Sequence, residues 1–265
     1  MTAVALGRAR STSWVPVSFA LARRSLATIL RIPAAVVPLI VMPMFFVIAF
    51  SGSFSSLKNL PSFPTDNVLN WFVPFAIIQG AAFAGFGAGF STVRDIETGF
   101  YDRLLLSPGS RLGLYVGPTL ASLVRAAFTT TVVLALGIVL GAEVLDGLLA
   151  LVALYVAALG IAVIATGWAL GVVYRIPDTR AGPILQIGIF FTMFLSTGNV
   201  PVADQIGWTR HIAEHNPLTP ILELARQGFL GEVRWDTTWP GLVAIGLTSA
   251  LLWLFAVTGL KHRTP

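Results

Sequence analysis

Long apolar runs separated by short polar connections dominate the hydrophobic pattern of this chain. A bilayer core of roughly 30 Å needs about 20 mostly apolar residues per helix, and six runs approach or exceed that length. They are too long for barrel strands, and hydrocarbon does not tolerate unpaired backbone groups. The six predicted spans are Ile32–Phe50, Asn70–Val93, Leu112–Gly141, Gly147–Val173, Pro183–Val200 and Trp239–Leu260. The pattern therefore predicts an all-α integral membrane protein.

The stretch before the first span predicts an additional helix. Trp14–Arg31 mixes apolar residues with arginines, as expected of an interfacial helix on the cytoplasmic leaflet; an irregular basic tail is the alternative. We therefore divide the chain into a tail with an interfacial helix (1–31), a six-helix transmembrane domain (32–260) and a second tail (261–265). We find no cleavable signal sequence, because the first apolar run is too long for one and lacks a small-residue cleavage site.

A dense polar segment lies between the second and third predicted spans. Six of its eighteen residues, 94–111, are charged, whereas only 11% of the whole chain is. If residues 95–106 are helical, Ile96, Phe100 and Leu104 share one stripe, and Asp95 and Asp102 lie together on another face. Gly99 interrupts this helix and Pro108 ends it. A solvated loop would explain the arginines, but a docking surface for a cytoplasmic partner also explains the acids and the apolar stripe.

A second amphipathic helix is expected in the long connection 201–238, between the fifth and sixth spans. Thr219 can cap a helix that begins at Pro220. The side chains expected on its apolar face are Leu218, Ile221, Leu222, Ala225 and Phe229. We expect this helix to rest on or dip into the outer leaflet, either as an external gate or as a simple interfacial anchor.

Composition supports a membrane protein. Hydrophobic residues make up 55% of the 265 residues and the mean hydropathy is +0.82, whereas soluble domains are about 45–50% apolar and about 25% charged. The net charge of +5 could indicate a nucleic-acid partner. The basic residues are dispersed among the spans instead of forming a patch, so membrane topology explains them better. The chain has no cysteine, which excludes disulfides, thiolate metal sites and cysteine nucleophiles.

The distribution of lysine and arginine predicts the orientation. Twelve of these residues fall in the termini and in the second and fourth connections, and four fall in the odd-numbered connections. Because cytoplasmic segments carry the excess of positive charge, we expect both termini and the polar segment 94–111 in the cytoplasm. The remaining basic residue, Arg125, lies inside the third span, where it could snorkel toward the cytoplasmic interface.

Two motifs, in order along the six spans, resemble those of ABC-2-type transporter permeases, and daunorubicin-resistance-like exporters of bacteria in particular. The first motif comprises Glu97, Gly99, Asp102, Arg103, Leu104, Leu105, Pro108 and Arg111. The second comprises Ser196, Thr197, Gly198, Pro201, Trp208, Asn216, Pro217, Leu218, Thr219, Leu224 and Arg226. The resemblance covers nearly the whole chain from about Arg23 onward.

The resemblance implies the membrane subunit of a drug, antibiotic or lipid exporter in the bacterial cytoplasmic membrane. It implies a homodimer or heterodimer of permeases, formed through the first and fifth spans, with two ATPase subunits that hold ATP and magnesium. The implied ATPase-coupling residues are Arg23, Arg24, Arg94, Asp95, Glu97, Gly99, Tyr101, Asp102, Arg103, Leu105, Pro108 and Arg111. The implied external helix contains Asn216, Pro217, Leu222 and Arg226. The only lysines, Lys58 and Lys261, follow leucine, so the chain has no Gly-Lys-[Ser/Thr] phosphate loop and no cofactor site of its own is expected.

Candidate substrate contacts are aromatic. Phenylalanines cluster in the second and fifth spans, and an aromatic cavity between two subunits would suit a flat apolar or amphiphilic molecule; helix packing or lipid contact is the ordinary alternative. The candidate pathway residues are Phe83, Phe86, Phe90, Arg125, Phe190, Phe191 and Phe194.

Two other functions compete with ATP-driven export. An ion-coupled carrier usually needs ionisable acids at membrane depth, and no Asp, Glu or His lies inside a predicted span. A membrane zinc peptidase is suggested by His211, Glu214 and His215, which match the H-x-x-E-H pattern. Asn216 and Pro217 follow at once, so the helix that such a site needs would end beside its second ligand. We therefore expect no metal site.

Overall fold

The computed structural model describes residues 14–31, 37–106 and 111–261 and contains no strand within these ranges. The helices are α1 (Trp14–Arg31), α2 (Val37–Ser53), α3 (Val68–Glu97), α4 (Phe100–Leu106), α5 (Leu112–Val139), α6 (Gly147–Arg175), α7 (Ala181–Phe194), α8 (Gly207–His215), α9 (Leu218–Arg226) and α10 (Trp235–Lys261). Short 3-10 helices occupy Ser55–Asn59, Val202–Asp204 and Gln227–Phe229. The all-α prediction is confirmed for the described ranges.

Four helices in the described ranges are long and apolar enough to cross a membrane. They are α3, α5, α6 and α10, which correspond to the second, third, fourth and sixth predicted spans. The first and fifth predicted spans contain shorter helices, α2 with 17 residues and α7 with 14. At 1.5 Å per residue, α7 is only about 21 Å long. The structure therefore describes four full-length spanning helices and two shorter apolar ones.

The early end of α7 has a specific cause. We predicted a span from Pro183 to Val200, but the helix stops at Phe194 and turns follow. The side-chain amide of Asn216 donates hydrogen bonds to the carbonyl oxygens of Thr192 and Leu195, at 2.7 and 3.0 Å. Because these carbonyls are satisfied by a side chain from another segment, the helix can end here inside the protein.

The core is built around α3. In its most apolar 18-residue window, 89% of the residues are buried, compared with 11% in the equivalent window of α10. Small side chains let neighbouring helices approach it closely: a Cβ at Gly85 would lie 2.6 Å from the Cβ of Ala165 on α6. Close approach through glycine and alanine is the usual way in which helices pack in lipid. The helix α3 therefore lies at the centre, and α10 lies at the edge with few fully buried residues.

The predicted N-terminal helix exists with the predicted bounds, and it packs along α5. A Cβ at Gly113 would lie 2.8 Å from Val17, and one at Gly117 would lie 2.7 Å from Leu21. The two glycines, four residues apart, thus form a flat surface that receives two side chains of α1, also four apart. The apolar side chains of α1 that are exposed include Trp14, Val15 and Phe19. A position on the cytoplasmic leaflet stays a prediction.

Candidate functional site

The polar segment forms two helices instead of the single helix predicted for residues 95–106. The first, α3, ends at Glu97, and α4 begins at Phe100. Between them Gly99 has a φ of +67°, in the left-handed region that residues with a Cβ rarely adopt. The hydroxyl of Thr98 donates to the carbonyl of Arg94 at 2.9 Å and so satisfies the end of α3. Gly99 therefore marks the break between the two helices, and α4 runs in a different direction from α3.

An ion pair joins α1 to the end of α3. Both terminal nitrogens of Arg24 donate to the carboxylate of Asp95, each at 2.7 Å. The guanidinium carbon also lies 4.0 Å from the ring centre of Phe100, the first residue of α4. The hydrogen bonds that Arg24 donates to Asp95 raise the pKa of Arg24 above its ordinary value, so the arginine stays charged. A single arginine thus connects α1, α3 and α4.

This ion pair corrects the prediction that Asp95 is displayed outward beside Asp102. Asp95 is half-buried and engaged by α1, whereas Asp102 is exposed on α4. The two acids do not share a face, because the chain changes direction at Gly99. The charged side chains that do point outward are Arg94, Glu97, Asp102 and Arg103.

The opposite face of α4 packs into the molecule. Tyr101 is buried, and its ring centre lies 5.9 Å from that of Tyr174 on α6. Leu104 and Leu105 are partly buried against the same cluster, which also contains Leu114 of α5. A short helix with one buried and one charged face is therefore anchored on the spanning helices α5 and α6.

The remaining predicted coupling residues are Arg23, Pro108 and Arg111. Arg23 is exposed on α1, and Arg111 is exposed immediately before α5. Pro108 lies outside the described residues. We define the outward-facing group Arg94, Glu97, Asp102 and Arg103 as the α3–α4 charged surface.

At the other end of the molecule, α9 buries the whole apolar face that we predicted and further residues as well, whereas its position at the outer leaflet stays a prediction. It begins at Leu218, and residues on several of its faces are buried, including Ile221, Leu222 and Leu224. A Cβ at Gly241 of α10 would lie 2.7 Å from Leu224, so α10 closes over α9. The helix is therefore part of the bundle, because apolar residues surround most of its circumference.

The predicted cap of this helix is wrong. The hydroxyl of Thr219 donates to the carbonyl of Ala213 at 2.7 Å and does not cap α9. The side-chain oxygen of Asn216 accepts from the backbone N–H of Leu218 at 2.9 Å instead. The side chain of Asn216 therefore both ends α7 and starts α9. Pro217, which lies between Asn216 and the first residue of α9, is exposed.

Arg226 is the most buried charged residue at the α8–α9 end of the molecule, with 1% of its surface exposed. Its guanidinium carbon lies 3.4 Å from the ring centre of Trp71 on α3. It donates to the backbone carbonyls of Trp71 and Thr197 at 3.3 Å and of Gly198 at 3.5 Å. Arg226 therefore connects α9, α3 and the turn after α7. Sequence analysis placed it on the external helix but gave no signal for Trp71 as its partner.

The segment from α1 to the turn after α9 matches a known protein family. A model of the family described as ABC-2 type transporter matches residues 17–230. The chain belongs to this family.

Two curated relatives agree with that membership. The probable multidrug ABC transporter permease YbhR of Escherichia coli strain K12 is 25% identical over 188 residues, covering 68% of this chain and 50% of YbhR. The probable doxorubicin resistance ABC transporter permease protein DrrC of Mycobacterium tuberculosis strain H37Rv is 28% identical over 198 residues, covering 73% of this chain and 69% of DrrC. The chain thus spans about half the length of YbhR. It is an ABC-2 type permease and a multi-pass membrane protein.

Within the spanning helices of the permease, Arg125 does not snorkel to the surface. It is 5% exposed, and its guanidinium donates to the carbonyl of Ala84 at 3.2 Å. It also donates to the hydroxyls of Ser25 on α1 at 3.0 Å and Ser122 on α5 at 2.9 Å. These three partners lie on α3, α1 and α5, so the side chain is enclosed by protein and connects these helices.

The phenylalanines predicted to line the pathway form a partly buried row. The ring centre of Phe83 lies 6.0 Å from those of Phe86 and Phe190, and Phe190 stacks on Phe194 at 5.9 Å. Two other candidates, Phe90 and Phe191, are exposed. Sequence analysis missed Phe46 and Phe50 on α2, whose rings also contact Phe194. Whether this row contacts a substrate stays a prediction.

A separate cavity of about 270 Å³ lies elsewhere in the permease. None of the candidate pathway residues lines it. Its walls come from α3, α6, α7, α9 and α10 and are almost entirely apolar. The residues that line it include Trp168, Gly188, Ile189, Ile221, Thr248 and Leu252. Sequence analysis gave no signal for it, because the cavity depends on how five helices pack.

The three residues of the zinc motif lie on and at the end of α8. This helix ends at His215, beside the second predicted ligand. Glu214 pairs with Arg210 at 2.9 Å, and this hydrogen bond lowers the pKa of its carboxyl. Within the described ranges, no group of three His, Cys, Asp or Glu side chains is placed to hold a metal ion. The geometry thus gives no support to the peptidase alternative.

Proposed function

We propose that this permease is the membrane subunit of an ABC exporter in the bacterial cytoplasmic membrane, driven by a separate ATPase subunit. The observation that carries this proposal is the linkage between α1, α3 and α4 through Arg24 and Asp95, in a chain of the ABC-2 family. A charged surface that is firmly joined to the spanning helices can transmit the motion of a bound motor to them.

In this proposal the chain crosses the membrane six times, with α2 and α7 as the two shorter spans. The excess of lysine and arginine in the termini and even-numbered connections supports cytoplasmic termini. That orientation places α1 and the α3–α4 charged surface in the cytoplasm and places α8 and α9 at the outer side. The ATPase and the external end would then lie on opposite sides of the bilayer.

The α3–α4 charged surface is the proposed docking site for the ATPase. It offers basic and acidic groups: Arg94 and Glu97 at the end of α3, and Asp102 and Arg103 on α4. The other face of α4 is anchored by the buried Tyr101. Mixed charges give a docking surface orientation and specificity. When the ATPase subunits close, they would press on α4, and the Arg24–Asp95 pair would carry that displacement into α1 and α3.

Glu97→Lys and Asp102→Lys test this docking role. Each substitution reverses a charge on an exposed side chain, so we expect the tagged permease to recover several-fold less ATPase from mild detergent, with unchanged membrane insertion. Glu232→Lys is the matched control, because Glu232 is exposed at the opposite end of the molecule. If both variants recover as much ATPase as the wild type, the docking role is wrong.

The proposed substrates are hydrophobic or amphiphilic molecules, including drugs, antibiotics or lipid-like compounds. YbhR is named as a probable multidrug transporter permease and DrrC as a probable doxorubicin resistance permease, and both names support this class of substrate. The aromatic row and the apolar cavity support it too. A pair of permease subunits, identical or different, is proposed to enclose the pathway. Exposed apolar side chains on α2 and α7, including Phe45, Ile48, Ile187 and Phe191, support a second subunit at this face.

A further inference from the structure

We infer that Arg125 is a binding site for a phosphate group, which reaches it from the exposed face of α3. The inference goes beyond the proposed function, because it gives a ligand to a buried charge that the docking of an ATPase does not use. Only the location of this site in the cytoplasmic half of the membrane rests on the proposed orientation.

No acidic side chain of this chain balances the charge of Arg125. All twelve acidic residues lie within the described ranges, and the four ion pairs found there involve other arginines. Asp95, on the same helix as the carbonyl partner of Arg125, is held by Arg24. A buried cation without a counter-charge is strongly destabilising, and a charged residue within spanning helices commonly marks a ligand pathway. An anion from outside the chain would supply the missing charge.

The guanidinium of Arg125 also keeps donors in reserve. Arginine carries five N–H groups, and the hydrogen bonds to Ala84, Ser25 and Ser122 use three of them. Two N–H groups, one on each terminal nitrogen, therefore have no partner among the residues that the structure describes. All three acceptors are neutral, whereas arginine binds the charged oxygens of phosphate more strongly.

Gly87 leaves room beside this guanidinium. A Cβ at Gly87 would lie 3.4 Å from the guanidinium carbon of Arg125, 3.5 Å from Nε and 3.6 Å from Nη2. These are its three nearest atoms among the described residues, apart from its chain neighbours and the backbone of its own helix. An oxygen atom would therefore fit at this position in ordinary van der Waals contact. Because Gly87 is partly exposed, the position is accessible from outside the bundle.

The exposed face of α3 offers a surface to the rest of an amphiphile. Its partly or fully exposed residues at helical spacing are Phe83, Gly87, Phe90 and Arg94. The two phenylalanines lie about one turn to either side of Gly87, where they can contact a hydrocarbon chain. Arg94, about 10 Å further along the helix, adds a second positive charge. This combination favours a lipid headgroup over a free anion as the source of the phosphate.

The site adjoins the linkage between α1, α3 and α4. Ser25, which accepts a hydrogen bond from Arg125, directly follows Arg24, the residue that holds Asp95 and Phe100. In the proposed orientation, the site therefore lies in the cytoplasmic half of the membrane, on the side of the α3–α4 charged surface.

Two sources could supply the phosphate, a lipid headgroup or free phosphate in the cytoplasm. A scintillation proximity assay on the tagged permease in a neutral detergent separates them, with tritiated dioctanoyl phosphatidic acid as the probe. We expect saturable binding that unlabelled phosphatidic acid displaces and that dioctanoylglycerol, the same molecule without phosphate, does not. Displacement by millimolar inorganic phosphate would assign the site to free phosphate. Failure of inorganic phosphate to displace the probe would assign it to a lipid headgroup.

Substitutions of Arg125 test the role of its charge. Arg125→Gln should weaken phosphatidic acid about ten- to hundred-fold, the usual effect of losing hydrogen bonds to a charged group. Arg125→Lys keeps the charge and should recover part of the binding. Arg180→Gln is the control, because it removes the same charge from an exposed side chain and should leave the affinity unchanged.

Gly87→Leu tests the access route and keeps the inference testable if Arg125→Gln does not fold. It leaves the charge in place but fills the position beside the guanidinium, so binding should fall at least about ten-fold. Gly246→Leu is the matched control, since a Cβ at Gly246 of α10 would also meet nothing that a larger side chain displaces.

Unchanged binding in both Arg125→Gln and Gly87→Leu, or equal displacement by dioctanoylglycerol, would overturn the inference. An equal loss in Arg180→Gln would also overturn it, because the attraction would then be general. If Arg125→Gln instead reduces recovery of a second permease subunit while phosphatidic acid still binds, a carboxylate of that subunit balances the charge and the inference is wrong. The assay contains no ATPase, so its failure leaves the proposed function standing, and a failed docking test leaves the phosphate site standing.

Discussion

At the scale of single residues, Arg226 shows how a cation can be buried at the α8–α9 end of the molecule. Its guanidinium stacks on Trp71 and supplies donors to three backbone carbonyls. Arginine suits this position because its planar group stacks on an aromatic ring while its N–H groups point outward in the plane. A buried aromatic–cation contact of this kind contributes about 2 kcal/mol.

We predict that Arg226→Met lowers the stability of the permease by about 2 kcal/mol, because the buried carbonyls of Thr197 and Trp71 would lose their donor. The melting temperature in one detergent measures this change. Arg210→Met is the control. Arg210 is exposed and pairs with the exposed Glu214, and losing such a surface ion pair should leave the melting temperature almost unchanged. Equal melting temperatures for all three proteins would contradict the structural role of Arg226.

The Arg24–Asp95 pair gives a second prediction at this scale. Arg24→Asp or Asp95→Arg alone places like charges beside each other and should reduce ATPase activity stimulated by the permease. The double variant restores an opposite-charge pair and should recover much of that activity. Stability should change by about 1 kcal/mol or less, because the pair is partly exposed. If the double variant is as impaired as the worse single variant, the two residues do not act through each other.

Sequence analysis singled out both residues of this pair but not their contact, and their role in coupling stays a prediction. Arg24 and Asp95 were both predicted to serve coupling, and the structure joins them across 71 positions of the chain. Arg125 was identified as the one basic residue in a span, yet its partners on α1 and α3 depend on tertiary packing. Residue type and local spacing show that a charged residue lies in an unusual place in the sequence. They do not show which groups of the folded protein pair with that charge.

At the scale of elements, Gly99 determines where α3 ends and α4 begins. Its left-handed backbone disfavours any residue with a Cβ. Among the described residues other than its two chain neighbours, no atom lies within 4 Å of the position that a Cβ would take. We predict that Gly99→Ala destabilises the native turn between α3 and α4 by about 1 kcal/mol, because alanine disfavours the left-handed backbone conformation. Faster hydrogen exchange of the α4 backbone amides would show this loss of local stability.

Gly246→Ala is the matched control for this prediction. Gly246 lies inside α10, and a Cβ there would also meet nothing within 4 Å. Since alanine favours a helix interior, this change should be neutral or slightly stabilising. If the two alanine variants behave alike, the left-handed conformation of Gly99 does not control the position of α4.

The elements that sequence analysis predicted well are those determined by length and apolarity alone. Four spans, α3, α5, α6 and α10, appear within a few residues of their predicted ends. The end of α7 was missed because it depends on the side chain of Asn216. The additional burial of Leu224 on α9 was missed because it depends on the packing of α10. The polar helix α8 was also missed, since a nine-residue helix has too few turns for a clear apolar period.

At the scale of the whole molecule, two linked regions lie at opposite ends of a bundle centred on α3. One end holds the α3–α4 charged surface, tied to α1 by Arg24. The other holds α9, tied to α3 and to the turn after α7 by Arg226. Because α3 takes part in both linkages, a displacement at one end can reach the other through a single continuous helix.

Cysteine labelling in intact cells tests the central claim most directly, because the native chain has no cysteine to interfere. Asp102→Cys and Arg210→Cys each introduce one thiol at an exposed position, on α4 and α8 respectively. We predict that an impermeant maleimide labels Arg210→Cys in intact cells and labels Asp102→Cys only after the membrane is opened. Labelling of Asp102→Cys from outside, with Arg210→Cys protected, would contradict a cytoplasmic docking surface for the ATPase.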